Sequence, residues 1–189
     1  MSERPSLREN LRRLLDVQQG LATMYRQLPL THRLMQGLWL ASLALIAASA
    51  AYGLGLLLHA QQAFWAALTA IAVTQQSYLD TRTSSRDQII GAFVGSVAGF
   101  SATLALGEQY GSYAIAIVVA VTVCWAVGLG VAARLSGVTT TIIMLVPHAG
   151  SFWLIALERV GQVALGIACA LVVVVAAERV QRWWVRPTD

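Results

Sequence analysis

Lysine is absent from this chain, and charge of either sign is scarce. Asp, Glu, Lys and Arg make up 12% of the residues, against about 25% in an ordinary soluble domain. That shortage excludes a normal water-solvated surface. Cysteine is limited to Cys124 and Cys169, each alone in an apolar run. Such spacing excludes a disulfide framework or a thiolate metal site, and each reads as a small buried hydrophobe. No GxSxG, HExxH or phosphate-binding loop occurs, and His32, His59 and His148 fall on separate elements. No acid stands near the middle of an apolar run to act as nucleophile or base. These absences argue against an enzyme, a bound metal or cofactor, and ATP hydrolysis on this chain.

What is abundant is apolar surface. AVILMFWYC residues are 57% of the sequence, and mean hydropathy is +0.65. The expected solvent is therefore lipid. The net charge of +4 comes from 13 arginines against 9 acids. These arginines flank apolar runs rather than cover one face, so a nucleic-acid partner is not expected.

The pattern predicts an all-α polytopic membrane protein, a six-helix transmembrane bundle preceded by an amphipathic helix. Residues 1–32 form that cytoplasmic helix and a linker, 33–180 the membrane domain, and 181–189 a short tail. In the first segment Leu7, Leu11, Leu14 and Leu21 recur at helical spacing, Ser6 and Glu9 form a capping box, and Pro29 ends the run. This helix suits an anionic lipid surface, or equally a contact with the bundle or another subunit.

Spans of near 20 residues, the length that crosses about 30 Å of hydrocarbon, are expected at 34–58, 62–79, 88–106, 112–133, 137–156 and 160–179. A re-entrant hairpin is the alternative at the last break, Glu158-Arg159. With the N-terminus inside, Arg4, Arg8, Arg12, Arg13, Arg26, Arg33, Arg82, Arg86, Arg134, Arg179, Arg182 and Arg186 lie on the cytoplasmic side. Arg159 alone lies outside. That bias predicts cytoplasmic termini.

Gly91, Gly95 and Gly99 form a small-residue ladder for close helix packing, and Ala63, Ala66, Ala67 and Ala70 give the second helix a similar face. Polar groups within the apolar runs are candidate site residues, because membrane-embedded polar groups tend to face protein or water. Gln75 and Gln76 end the second span, and His148 follows Pro147 in the fifth. His148 suits either proton coupling or an interhelical hydrogen bond. Arg86 and Arg134 read as topogenic cations or as the mouth of an anion path. Arg159, standing against the charge bias, is the leading candidate for a functional cation.

The chain also divides into two sets of three helices. Aligning Arg86 with Arg159 places Thr74 opposite Pro147, Gln75 opposite His148 and Ser77 opposite Gly150. Three spans per set would make the two inverted, a design that recurs in transporters.

The stretch from Trp65 to Gly99, WAALTAIAVTQQSYLDTRTSSRDQIIGAFVGSVAG, resembles the fusaric acid resistance (FUSC-like) or aromatic acid exporter superfamily. The aluminium-activated malate transporters are also grouped there. Matching positions are Trp65, Val73, Gln75 or Gln76, Ser77, Arg86, Gly91, Gly95 and Gly99. The closing stretch, with Arg159 and Gly166, is similar too. One departure is Gln88, which stands near Gly91 where the family carries its arginine.

The resemblance implies six helices in a bacterial inner membrane and export of small organic anions such as aromatic carboxylates, driven by an ion gradient. A unit of this size implies a homo-oligomer, and a periplasmic adaptor is a candidate partner. A passive anion channel of the same fold and a non-transporting scaffold subunit are the competing readings.

Overall fold

The computed structural model describes residues 29–60, 62–146 and 152–184, with side chains at 152–155 and 184 excepted. The expected N-terminal helix and the end of the tail lie outside these residues, as does His148. The chain divides into two units, 1–39 and 40–189. Of the first, the described residues are the opening turns of a helix.

The described residues form six helices: α1 (Leu30–Leu57), α2 (Phe64–Val73), α3 (Tyr78–Leu106), α4 (Tyr110–Ala126), α5 (Gly130–Leu145) and α6 (Phe152–Trp184). Among them, Leu30–Leu57, Tyr78–Leu106 and Ala156–Trp183 are long and apolar enough to cross a membrane. α4 and α5, at 17 and 16 residues, span about 25 Å at 1.5 Å per residue. α2 has 10 residues and spans about 15 Å, half a bilayer. Six spans of near 20 residues were expected; three long helices and three shorter ones are found among the described residues.

Each boundary that differs has a local cause. α2 stops at Val73 because Thr74 turns extended, at φ −66° and ψ 122°. Its hydroxyl donates to the Ala70 carbonyl at 2.6 Å. The Gln75 N–H is diverted to Thr81 Oγ1 at 3.0 Å instead of continuing the helix. Ser77 then caps α3 by accepting from the Asp80 N–H at 3.2 Å. Residues 80–87, expected as a basic loop, are thus part of the opening turns of α3. Likewise Arg134 lies inside α5 rather than in a loop.

The expected break at Glu158-Arg159 is absent, in either of its forms. α6 runs unbroken through it, since Ala156, Leu157, Glu158 and Arg159 are good helix formers. α5 closes at Leu145 instead, and α6 opens at Phe152. Val146 ends α5 with φ −75° and ψ 122°, the extended conformation that a following proline imposes.

Bulk and burial are inverted relative to a soluble domain. Ala47, Ala51, Ala66, Ala70, Ala120 and Ala132 are completely buried, while Leu45, Ile46, Phe93, Val118 and Val172 are exposed. Lipid is as apolar as any core, so burying a leucine gains little there. Close backbone approach through small residues holds the helices instead.

Gly91 and Gly166 make the same contact in the two halves. A Cβ on Gly91 would meet Leu135 Cβ at 2.6 Å, the Ala132 carbonyl at 2.9 Å and the Ser136 nitrogen at 3.1 Å. On Gly166 it would meet the Ala66 carbonyl, Thr69 Cβ at 2.9 Å and the Ala70 nitrogen at 3.0 Å. The third helix of each half therefore packs on the middle helix of the other.

The register gives their directions. Gly91, Gly95 and Gly99 meet successively later residues of α5, so α3 and α5 run parallel. Arg159 and Gly166 meet Trp65 and then Ala66 to Ala70, so α6 runs parallel to α2. The Tyr78 N–H, opening α3, donates to Glu178 Oε1 near the end of α6 at 2.7 Å, so α3 and α6 are antiparallel.

Candidate functional site

Because Gly166 lacks a side chain, α6 lies against the backbone of α2. That approach brings Arg159, two turns earlier on α6, under the first turn of α2. Its guanidinium carbon sits 4.7 Å from the centroid of the Trp65 ring. Trp65 is itself held by its indole N–H, which donates to Gln62 Oε1 at 2.7 Å. Gln162 follows Arg159 by one turn and is buried, as is Thr69, one turn beyond Trp65.

Arg159 is the one fully buried charged side chain among the described residues, at 6% exposure. Its Nε and Nη1 have no hydrogen-bond partner among them, and neither has the Thr69 hydroxyl. The one ion pair among the described residues is Arg182 with Glu178, at 3.0 Å. Glu158, adjacent in sequence, is exposed.

Magnitudes decide what this means. A cation–π contact returns about 0.5–2 kcal/mol, whereas desolvating an ion costs several kcal/mol even after relaxation. The Trp65 face alone does not offset the burial of Arg159. The remaining donors are arranged for an acceptor, and a carboxylate satisfies two guanidinium N–H groups at once.

Other expected site residues are dispersed. Gln75 is half-buried in the extended link, where its N–H serves Thr81. Gln76, Arg86 and Arg134 are exposed. Arg86 and Arg159 are therefore not counterparts; Ser85, which is buried, stands nearer the place on α3 that Arg159 holds on α6. Gly91 and Gly95 lie close against the backbone of α5, and Gly99 more loosely.

The sequence marked Trp65 as a position resembling the family, and did not single out Gln162. One signal was available. Arg159, Gln162 and Gly166 share a helical face, but only if the helix runs through Glu158-Arg159.

The sequence profile of a family described as fusaric acid resistance protein-like matches residues 37–173. No curated protein and no solved structure matches significantly.

Proposed function

The chain belongs to the fusaric acid resistance protein-like family, and from that premise we propose that it exports small organic anions, aromatic carboxylates in particular, across the bacterial inner membrane at the expense of an ion gradient. The observation that carries this reading is Arg159, buried with unused donors against the face of Trp65. A carboxylate pairs with the open guanidinium N–H groups, and an aromatic ring finds a stacking partner in Trp65. Gln162 and the Thr69 hydroxyl supply neutral polar contacts on neighbouring turns.

The two halves, with α2 parallel to α6, α3 parallel to α5, and α3 antiparallel to α6, read as inverted repeats. Substrate in such folds binds where the halves meet, at interrupted helices. The arginine bias puts the start of α3 and the end of α6 on the cytoplasmic side. Arg159 then lies toward the outer face. Between the ends, Ala92, Val163, Ile167 and Ala170 pack in one buried cluster. A closed layer of this kind favours a carrier that alternates its access over an open anion channel.

Uptake of radiolabelled benzoate into proteoliposomes tests the proposal. Removing a charge-assisted bond costs about 1.5–3 kcal/mol, so Arg159→Gln is expected to weaken apparent affinity roughly 10- to 150-fold. A protonophore is expected to abolish concentrative uptake. Unchanged affinity in a folded Arg159→Gln protein overturns the reading.

A further inference from the structure

α3 carries a second polar cluster that the site above leaves unexplained. Thr81, Ser85 and Gln88 are all buried on one stripe of its opening turns. Thr81 is accounted for, since its hydroxyl organises the link at Gln75. Ser85 is not. At 4% exposure its side chain is inside the protein, and its hydroxyl has no hydrogen-bond partner among the described residues.

The repeat places this pair. Gln88 stands three residues before Gly91, and Gln162 four before Gly166. Ser85 stands six before its glycine, and Arg159 seven. The match is offset by one residue, so Ser85 and Gln88 lie at nearly the same height along α3 from Gly91 as Arg159 and Gln162 do along α6 from Gly166, on a face turned by about 100°.

Their separation follows from the register. Tyr78 precedes Gly91 by 13 residues, and its partner Glu178 follows Gly166 by 12. The glycines thus lie at one level of the antiparallel pair. At 1.5 Å per residue, Ser85 is about 9 Å toward one face and Arg159 about 10 Å toward the other. The closed layer of Ala92, Val163, Ile167 and Ala170 lies between them.

We infer that Ser85 and Gln88 form a second, uncharged station for the same carboxylate at the opposite end of its route. The inference rests on the reading of Arg159 as the anion site. A hydroxyl and an amide donate to a carboxylate without the attraction of a full cation. This station therefore holds the anion weakly and exchanges it with the compartment at the start of α3.

The test measures benzoate transport by the full chain in proteoliposomes of both orientations, giving KM from each side separately. Ser85→Ala removes a hydroxyl that bonds to no described residue, so it should fold as the wild type does. Gln88→Leu and the milder Gln88→Asn complete the set, with thermal stability measured on each.

For Ser85→Ala and Gln88→Leu, KM for benzoate presented at the side where α3 begins is expected to rise about three- to tenfold, the loss of one neutral hydrogen bond. KM from the other side should stay within about twofold, and Gln88→Asn should recover part of the loss. Equal KM from both sides in Ser85→Ala and Gln88→Leu refutes the second station while leaving Arg159 in place. A rise of the same size from both sides refutes it too, since a structural defect is not directional. Failure of the Arg159 reading is recognised separately, by normal benzoate affinity in Arg159→Gln.

Discussion

Adding one methyl group at Gly166 tests how the site is held. The new Cβ would meet the Ala66 carbonyl, Thr69 Cβ at 2.9 Å and the Ala70 nitrogen at 3.0 Å. Two of these three are backbone atoms of α2, which no rotamer change can withdraw, so α6 must retreat. Overpacking of this kind costs about 1–3 kcal/mol, against which replacing a mid-helix glycine returns about 1 kcal/mol. Gly166→Ala should therefore destabilise by roughly 0–2 kcal/mol on balance, and by about 1–3 kcal/mol relative to a glycine replaced in open space.

Gly161, five residues earlier on the same helix, is the internal control. A Cβ there meets nothing within 4 Å, so Gly161→Ala should raise stability by up to about 1 kcal/mol. Thermal unfolding in detergent, followed by intrinsic fluorescence, reads both. Retreat of α6 also draws Arg159 away from Trp65, so benzoate affinity should fall in Gly166→Ala and hold in Gly161→Ala. A Gly166→Ala protein as stable as Gly161→Ala, with normal affinity, refutes the backbone contact and the account of how the site is positioned.

Two further outcomes concern the opposite pair of helices and the end of the bundle. Gly95→Ala places a methyl against the Ser136 carbonyl and Thr139 Cβ at 2.8 Å, where Thr140 also donates to the Gly95 carbonyl at 3.1 Å. Gly99→Ala makes only ordinary contacts, from 3.5 Å to Ile143. Thermal unfolding should thus show a net loss of roughly 0–2 kcal/mol for the first and a gain of up to about 1 kcal/mol for the second. Glu178→Leu removes the acceptor of the Tyr78 N–H and should cost about 1 kcal/mol, as loss of a helix cap does. Glu178→Gln, which keeps an acceptor, should recover most of it in the same unfolding assay.

Much of the fold was legible because membrane solvation acts on single residues. Apolar runs announce helices, and the glycine ladder announces close packing. Pro147 carried a signal that went unused: it restricts Val146 and ends α5, yet the expected fifth span ran through it to 156. Less legible was the true start of α3. Arg82, Arg86 and Asp87 look like a loop by hydropathy. They are helical because Ser77 caps the turn and charge is tolerated on an exposed face. Arg159 was found for a partly mistaken reason, as a loop residue outside the charge bias, whereas it is a buried residue within a long helix.

The sequence by itself determined the solvent, the helical class and the family, each of which depends on composition or on motifs along the chain. Only the tertiary structure decided which polar residues share a site. Helical periodicity tells which side chains lie on one face, but in lipid an inward face and an outward face are equally apolar. Along the chain Arg86 and Arg159 therefore differ only in the side of the membrane that each is assigned. Their fates diverge because one points away from the bundle and the other is drawn beneath Trp65 by the contact at Gly166.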